Sequence, residues 1–574
     1  MSTSNARQVR IEFDQRVPMR DGITLSADVY KPLSRPGEPG RFPVILTRTP
    51  YMKLSEGVLM VANYFAERGY IFVAMDVRGR GDSEGAFVPY FNEGQDGYDA
   101  IEWCAEQPWS DGNVGTIGSS YPGVIQWLAA LQQPPHLKAM VVRVAPSDPF
   151  VETPTGVPSP MSLCWLHFVS GRYNQLMEAV NWESVYEHLP LLTMDERAGR
   201  SIAYWRAEIE HAQLDEFWQP MCYQRKFERV NVPTLHISGW YDDEQIGTPL
   251  NFMGMRESAA TPQARKSQRM LMGPWGHVVN KDAKLGEVDF GPQALIDLRG
   301  EELRWFNRWL RGYGSDMGLD EAPVRIFVMG TNEWRDEQEW PLARTQWTPF
   351  YLHSNGHANS RFGDGTLSTT LPTAGEQRDT YHYDPARPVP FITEPTSSQI
   401  GGPDDYSAIE HRDDVLVYAT EALVEDTEVT GPIKLDLYAS SSASDTDFMA
   451  KLLDVWPTGF RQRLCDGMVR ARFREGMDKP SLIEPGKIYH FSIDCWNTSQ
   501  VFKAGHRIGL EIASSAFPKY DRNLNTGAPL GMTTEMAVAE QRIYHDAEHP
   551  SVVVLPVIPR EDTGLHLSIE DDYF

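Results

Sequence analysis

The chain has 574 residues, 41% of them hydrophobic and 23% charged, and its 79 Asp and Glu against 53 Lys and Arg leave a formal charge of −26. That length exceeds what one hydrophobic core accommodates and predicts two or three domains around a cleft. The acidic balance excludes a nucleic-acid partner, which requires a basic surface, and no apolar run approaches the roughly 20 residues that cross a bilayer.

The opening residues, Met1-Ser2-Thr3-Ser4-Asn5-Ala6-Arg7, hold no apolar stretch of the secretory kind, which predicts a cytoplasmic protein that does not sit in a membrane. Residues 17–30 read as a hairpin, because Asp21-Gly22 is a turn dipeptide between β-prone runs. Short apolar runs follow at Val44-Ile45-Leu46, Ile71-Phe72-Val73-Ala74-Met75, Val114-Gly115-Thr116-Ile117 and Met140-Val141-Val142. The gaps between them are long enough for helices, the mark of βαβ units and a mainly parallel sheet.

Residues 151–230 change texture, with Trp, Glu and Leu at helical spacing, and predict a helical insertion. The sheet pattern returns at Thr234-Leu235-His236-Ile237-Ser238 and Met270-Leu271-Met272, then closes on an amphipathic stretch over 301–311 where Leu303, Phe306 and Leu310 share a face. After Gly318 come alternating segments such as Val324-Arg325-Ile326-Phe327-Val328, Ile433-Lys434-Leu435-Asp436-Leu437-Tyr438 and His506-Arg507-Ile508-Gly509-Leu510-Glu511. Punctuated by Gly, Pro, Asp and Asn, they predict an all-β sandwich or jelly roll, with the Pro-rich run over 384–395 as an ordered surface excursion. The predicted class is therefore α/β: a discontinuous α/β core over 1–148 and 230–318, a helical cap over 149–229, and a jelly-roll β-sandwich over 319–574. Five widely spaced cysteines without zinc-ligand spacing, Cys104, Cys164, Cys222, Cys465 and Cys495, read as buried free thiols.

Gly118-Ser119-Ser120-Tyr121-Pro122-Gly123 follows one predicted strand and precedes a predicted helix over 123–131. A serine on such a turn is exposed at the carboxyl end of the sheet, and small neighbours relieve the crowding. Ser120, rather than Ser119, is the nucleophile this pattern selects. A serine hydroxyl needs a base and an orienting acid, which an α/β-hydrolase supplies in the order Ser, Asp, His. Gly239-Trp240-Tyr241-Asp242-Asp243-Glu244 and Gly273-Pro274-Trp275-Gly276-His277 each follow a strand, which gives Asp242 as the acid and His277 as the base. Taken singly, each has a plainer reading, a helix-capping Asp and a structural His. Their joint order favours the triad.

These motifs, with Arg48-Thr49-Pro50-Tyr51, the run Asp76-Val77-Arg78-Gly79-Arg80-Gly81-Asp82-Ser83-Glu84-Gly85, Phe327-Val328-Met329-Gly330-Thr331-Asn332-Glu333-Trp334-Arg335 and Asp445-Thr446-Asp447-Phe448, resemble the CocE/NonD family of α/β-hydrolases across nearly the whole chain. The family includes bacterial cocaine esterases, α-amino acid ester hydrolases and, more distantly, X-Pro dipeptidyl-peptidases. The resemblance implies an α/β-hydrolase core, helical cap and C-terminal jelly roll meeting at the active site. It also implies an oxyanion hole formed by the Tyr51 phenol and the backbone N–H of Tyr121. Arg78 and Asp82 are read as holding their loop.

The α-amino acid ester hydrolases carry an acidic cluster that binds a substrate ammonium, and Glu244 resembles one member, but Gln245 stands where a second acid is expected. The simpler reading of Glu244 is a helix-start acid or a solvated side chain. A cap segment, His211-Ala212-Gln213-Leu214-Asp215-Glu216-Phe217-Trp218, resembles a family segment of unassigned role. Among the cap aromatics Trp165, Phe168, Trp182 and Trp205, some are expected to wall an apolar acyl pocket. The expected activity is carboxylic-ester hydrolysis through an acyl-enzyme on Ser120, without metal or organic cofactor, on a small-molecule ester or amide. Amino acid ester hydrolysis or acyl transfer, amide hydrolysis, X-Pro peptidase activity, and a ligand- or carbohydrate-binding protein with an inactive core are the alternatives. A monomer and a homo-oligomer are equally compatible with a sandwich domain that has open edges.

Overall fold

The structure is a computed structural model that describes residues 6–35, 37, 40–152, 159–312 and 321–559. Strands β1 (Val9–Pro18) and β2 (Thr24–Pro32) form the N-terminal antiparallel hairpin, with Val17 opposite Leu25. β2 also pairs antiparallel with β4 (Ile71–Asp76), which lies parallel to β3 (Phe42–Thr49). β5 (Ser110–Ser119), β6 (Leu137–Arg143), β7 (Thr234–Gly239) and β8 (Gln268–Gly273) continue the sheet, each parallel to its neighbour. β3 and β4 are buried along their full length, because helices cover both faces, and their sequences are therefore apolar runs rather than alternations.

Alternate residues of these strands feed two cores. Val44, Leu46 and Val73 pack with Ile101 of α2 (Glu93–Glu106) and Trp127 of α3 (Tyr121–Ala130). Ile45 and Phe72 pack on the other face with Phe65 of α1 (Glu56–Glu67). Between β6 and β7 lie α4 (Ser162–Phe168), α5 (Trp182–Tyr186), α6 (Met194–Arg197) and α7 (Ala203–Glu210), with no strand among the described residues. α8 (Gly247–Ser258) and α9 (Pro262–Lys266) lead from β7 to β8, and a small ribbon of β9 (Lys284–Leu285) and β10 (Val288–Asp289) precedes α10 (Leu298–Arg311). The Asp297 carboxylate caps α10 by accepting from the Gly300 N–H at 3.0 Å, and the helix stops at Gly312 in the left-handed region with φ 66°. Phe306 and Leu310 of α10 join the core of α1.

One strand assignment is corrected. The run Val324-Arg325-Ile326-Phe327-Val328, expected to begin the β domain, is β11 (Val324–Val328) of the first sheet, parallel to β8 with Ile326 opposite Met272. β12 (Glu333–Glu337) pairs antiparallel with β11 and ends that sheet. Alternation specifies a strand with one covered face but not the edge it joins; here Val324 and Ile326 bury against Met270 and Met272. The division expected between residues 318 and 319 lies outside the described residues.

The remaining strands, from Gln346–His353 to Val552–Ile558, form a second, eleven-stranded sheet system among the described residues. Its longest pair, Thr427–Ser441 and Tyr489–Phe502, is antiparallel with a register shift between Pro432 and Lys434. The Pro-rich excursion is tied down where the Phe391 N–H donates to the Phe517 carbonyl at 2.8 Å. All five cysteines are buried and free.

Candidate active site

Because β5, β7 and β8 run parallel, the residues that follow them emerge at one edge of the sheet. Ser120 sits on the turn between β5 and α3 with φ 60° and ψ −128°, a conformation that costs a non-glycine residue energy and that the surrounding structure must enforce. The enforcement is visible. The Ser120 N–H donates to the Arg143 carbonyl at 2.9 Å, and the Ser120 carbonyl accepts from the N–H groups of Gly123 and Val124 at 2.7 and 3.0 Å. A Cβ at Gly118 would lie 2.3 Å from the Pro122 carbonyl oxygen, and one at Gly123 would lie 2.9 Å from that of Arg143, so the turn closes only with glycine at both places. Tyr121 opens α3 and its N–H has no acceptor within the helix, while Pro122 contributes none.

Asp242 follows β7 and is 3% exposed. Its Oδ1 lies 2.8 Å from His277 Nδ1 and accepts from the Glu244 N–H at 3.2 Å; its Oδ2 accepts from the Ser238 hydroxyl at 2.7 Å. Burial works against the charged imidazole of His277, but the Asp242 hydrogen bond and the charges of Asp243, Asp242 and Glu152 outweigh it and push the group up to about 9. Ser120 and His277 face one cavity of about 210 Å³. The Ser120 hydroxyl lies beside the Tyr51 phenol and the Glu244 carboxyl, and no hydrogen bond joins it to His277. Catalytic contacts of this kind commonly tighten only when substrate arrives.

The Tyr51 phenol accepts from Trp165 Nε1 at 2.9 Å, which leaves its own O–H free to donate, and burial raises its ionisation so that it stays neutral. Its ring packs on Phe168, with centroids 5.8 Å apart. The side chain of Tyr121 points away from this chemistry: its hydroxyl donates to Glu93 at 2.8 Å and accepts from the Tyr90 N–H at 2.9 Å.

Of the four cap aromatics, the structure brings only Trp165 to the cavity wall. Phe168 supports Tyr51, and Trp182 and Trp205 are core residues whose indole N–H groups donate to the carbonyls of Met177 and Leu191 at 2.7 and 2.8 Å. The aromatic wall is completed by Tyr90, Phe150 and Trp218. Helical spacing put the four predicted aromatics in the cap without telling which of them met the cleft. Arg78 pairs with Asp96 and Asp21, and Asp82 accepts from Lys53 at 3.0 Å; both hold their loop.

Glu244 is not a helix-start acid: α8 begins three residues later at Gly247, and the carboxyl lines the cavity. Asp243, Glu152 and Glu208 line it too, and none was selected from the sequence. Asp243 was legible as part of a run of three acids after a strand; the two cap acids carried no local signal. Burial pushes Glu152 and Glu208 up to about 8, and burial together with Glu152, Asp243 and Asp242 raises Glu244 well above the ordinary carboxylate range. One buried oxygen on each of Asp243, Glu244 and Glu208 has no hydrogen-bond partner. Gln245, in contrast, turns toward the β domain and donates to the Asn497 carbonyl at 2.6 Å. Asp242, Asp243 and His277 also place three ligand-type atoms within 4.8 Å of one another, a spacing a metal ion would accept. The 2.8 Å contact between Asp242 and His277 Nδ1 fits a shared proton equally well.

Residues 21–279 match the family model of the X-Pro dipeptidyl-peptidase (S15 family), and residues 318–554 match that of the X-Pro dipeptidyl-peptidase C-terminal non-catalytic domain. The chain is 39% identical to the cocaine esterase of Rhodococcus sp. (strain MB1 Bresler), over 95% of this chain and 98% of the relative. Among solved structures it superposes on an aminopeptidase from a marine sediment Thaumarchaeota archaeon with a TM-score of 0.83 and 28% identity, covering 96% and 97% of the two chains. An α-amino acid ester hydrolase gives a TM-score of 0.82 at 27% identity, covering 97% of each chain.

Proposed function

Because the chain belongs to the CocE/NonD family of α/β-hydrolases and is a serine ester hydrolase, we propose that Ser120, His277 and Asp242 carry out the reaction and that the preferred ester bears an ammonium group close to the scissile carbonyl. The observation that carries the second part is the set of four carboxyl groups, Glu152, Glu208, Asp243 and Glu244, on the wall of a cavity of about 210 Å³ that also holds Ser120. Unpaired buried carboxyl oxygens are costly, and an ammonium with several N–H donors satisfies them. The α-amino acid ester hydrolase and the aminopeptidase among the structural relatives support this reading, as does the acidic charge of the chain.

In the proposed cycle, His277 takes the Ser120 proton as the hydroxyl oxygen attacks the ester carbonyl. The Tyr51 phenol and the Tyr121 N–H donate to the oxyanion, and the alcohol leaves with the proton from His277. Water, activated by the same imidazole, then releases the acid from the acyl-enzyme. Five buried free cysteines support a reducing, cytoplasmic setting, and the second sheet system is read as a jelly roll.

The test compares phenylalanine methyl ester with methyl 3-phenylpropanoate, which lacks only the amino group. The amino ester is expected to have a kcat/KM higher by at least about tenfold, the value of roughly one well-made charged hydrogen bond. For the neutral ester, kcat/KM is expected to rise with pH until His277, held up to about 9 by its acidic neighbours, has lost its proton. Equal use of the two esters would remove the ammonium from the proposal, and an acidic limb near the ordinary histidine value would show that the carboxyls do not act on His277.

Tyr51→Phe keeps the ring against Phe168 and removes only the donor. It is expected to lower kcat by about 10²- to 10³-fold with little change in KM, because the oxyanion exists only along the reaction path. An unchanged kcat would leave the Tyr121 N–H as the main oxyanion donor.

A further inference from the structure

We propose that Gln399, contributed by the C-terminal part of the chain, is a positioning residue that locks the loop carrying His277 to the loop carrying Asp242. The proposal rests on the assignment of those two residues as base and acid. Gln399 Oε1 accepts from the backbone N–H of His277 at 2.8 Å. Its Nε2 donates to the Tyr241 carbonyl at 3.1 Å and to the Gly401 carbonyl at 2.7 Å. The amide therefore has one orientation: turning it over would set its oxygen against two carbonyl oxygens and its NH₂ against an N–H. The fit has no slack, since a Cβ on Gly276 would lie 2.0 Å from Gln399 Oε1.

The segment is itself anchored. The Thr393 hydroxyl donates to the Gln399 carbonyl at 3.2 Å and accepts from the Gly401 N–H at 3.1 Å, with Gly401 at φ 75°. Ser397 and Ile400, on either side of Gln399, line the same cavity as Ser120. One stretch of the β domain thus supplies both a wall of the substrate cavity and the clamp on the two loops beneath it. The Tyr241 N–H already donates to the Trp275 carbonyl at 3.0 Å, but that bond ties the loops two residues before the imidazole. Gln399 holds the His277 backbone itself, beside the side-chain contact of His277 with Asp242. An imidazole displaced by about 1 Å relative to the nucleophile costs about 10²-fold in rate, and removing this clamp permits such a displacement.

The experiment uses the full chain and two variants. Gln399→Met keeps the length and apolar packing and removes all three hydrogen bonds. Its kcat for ester hydrolysis is expected to fall by about 10- to 100-fold, with KM changed by less than about threefold and the melting temperature by only a few degrees. Gln399→Glu keeps the acceptor for the His277 N–H. Its second oxygen faces the Tyr241 and Gly401 carbonyls that the Gln399 NH₂ served, so it is expected to recover only part of that loss and, by ionising beside the imidazole, to move the acidic limb of kcat/KM to higher pH. A methionine variant with kcat within twofold of the parent, or with KM raised and kcat unchanged, would overturn the proposal. Should the methionine variant fail to fold, the glutamate variant decides: an unshifted limb with parental kcat is equally adverse. His277→Ala is measured alongside. If it stays active, the assignment of the base is wrong; if it is inactive while Gln399→Met is unaffected, only the clamp is wrong.

Discussion

Ser120→Ala is expected to lower kcat for ester hydrolysis by about 10⁶-fold and to abolish covalent labelling by a fluorophosphonate, without loss of the fold. The size follows from what the hydroxyl does in the proposed cycle, where it is the atom that forms the acyl bond; among the described residues no other hydroxyl on the cavity wall follows a strand end on a strained turn. The fold is spared because the hydrogen bonds that hold the turn are made by the Ser120 backbone, through Arg143, Gly123 and Val124. Alanine retains that backbone and the Cβ that the turn already accommodates. Equal labelling of parent and variant would place the nucleophile elsewhere, with neighbouring Ser119 the first position to examine.

The elements that the sequence predicted best are those whose signal is local. Buried parallel strands read as apolar runs at β3, β4 and β8, and the strand-turn-helix around Ser120 carries its glycines where the backbone needs them. The three proposed triad members could be placed because each follows a strand of the same parallel set. The structure then brings Asp242 and His277 to 2.8 Å, although 34 residues separate them in the chain. What escaped is whatever depends on which surface meets which. β11 has the alternation of a β-domain strand and joins the other sheet. Trp165 and Trp205 have the same residue type on cap helices, and only the first reaches the cavity. Glu152 and Glu208 are ordinary acids in sequence; their proximity to Asp243 and Glu244 exists only after the cap folds over the sheet. Gln399 is the extreme case, since its partners lie 122 and 158 residues away.

That difference bears on substrate choice. The proposed chemistry of acyl transfer sits on the sheet edge, where sequence motifs are informative, whereas the proposed ammonium site is divided between that edge and the cap. Glu244 beside Gln245 looks like an incomplete cluster when only the chain order is considered. Gln245 is in fact occupied with Asn497, and the group is completed by the edge acid Asp243 and by Glu152 and Glu208 from the cap.

Asp242→Asn is expected to lower kcat by about 10⁴-fold while preserving substrate binding. In the proposed cycle the carboxylate does two things at once: it accepts from His277 Nδ1–H, which leaves Nε2 free to take the Ser120 proton, and it stabilises the imidazolium that results. An asparagine that presents its NH₂ to Nδ1 selects the opposite tautomer, with the proton on Nε2. One that presents its oxygen keeps the tautomer and loses the charge. The Glu244 N–H, which donates to the same Oδ1 as His277, favours the second orientation, and the Ser238 hydroxyl accommodates either. In both cases the hydrogen bond that most strongly raises His277 is weakened, so the acidic limb of the residual activity is expected to move to lower pH. Among the described residues, Asp243 is the other acid paired with the His277 imidazole and the one placed to substitute. Its Oδ1 lies 3.6 Å from the same Nδ1, beyond hydrogen-bond distance, and burial raises its own ionisation, which makes it the poorer partner. The double variant Asp242→Asn/Asp243→Asn measures that reserve. If Asp242→Asn alone costs less than about tenfold and the double variant costs the full 10⁴, the orienting acid is Asp243, and the chain order Ser, Asp, His is served by the second aspartate of the pair rather than the first.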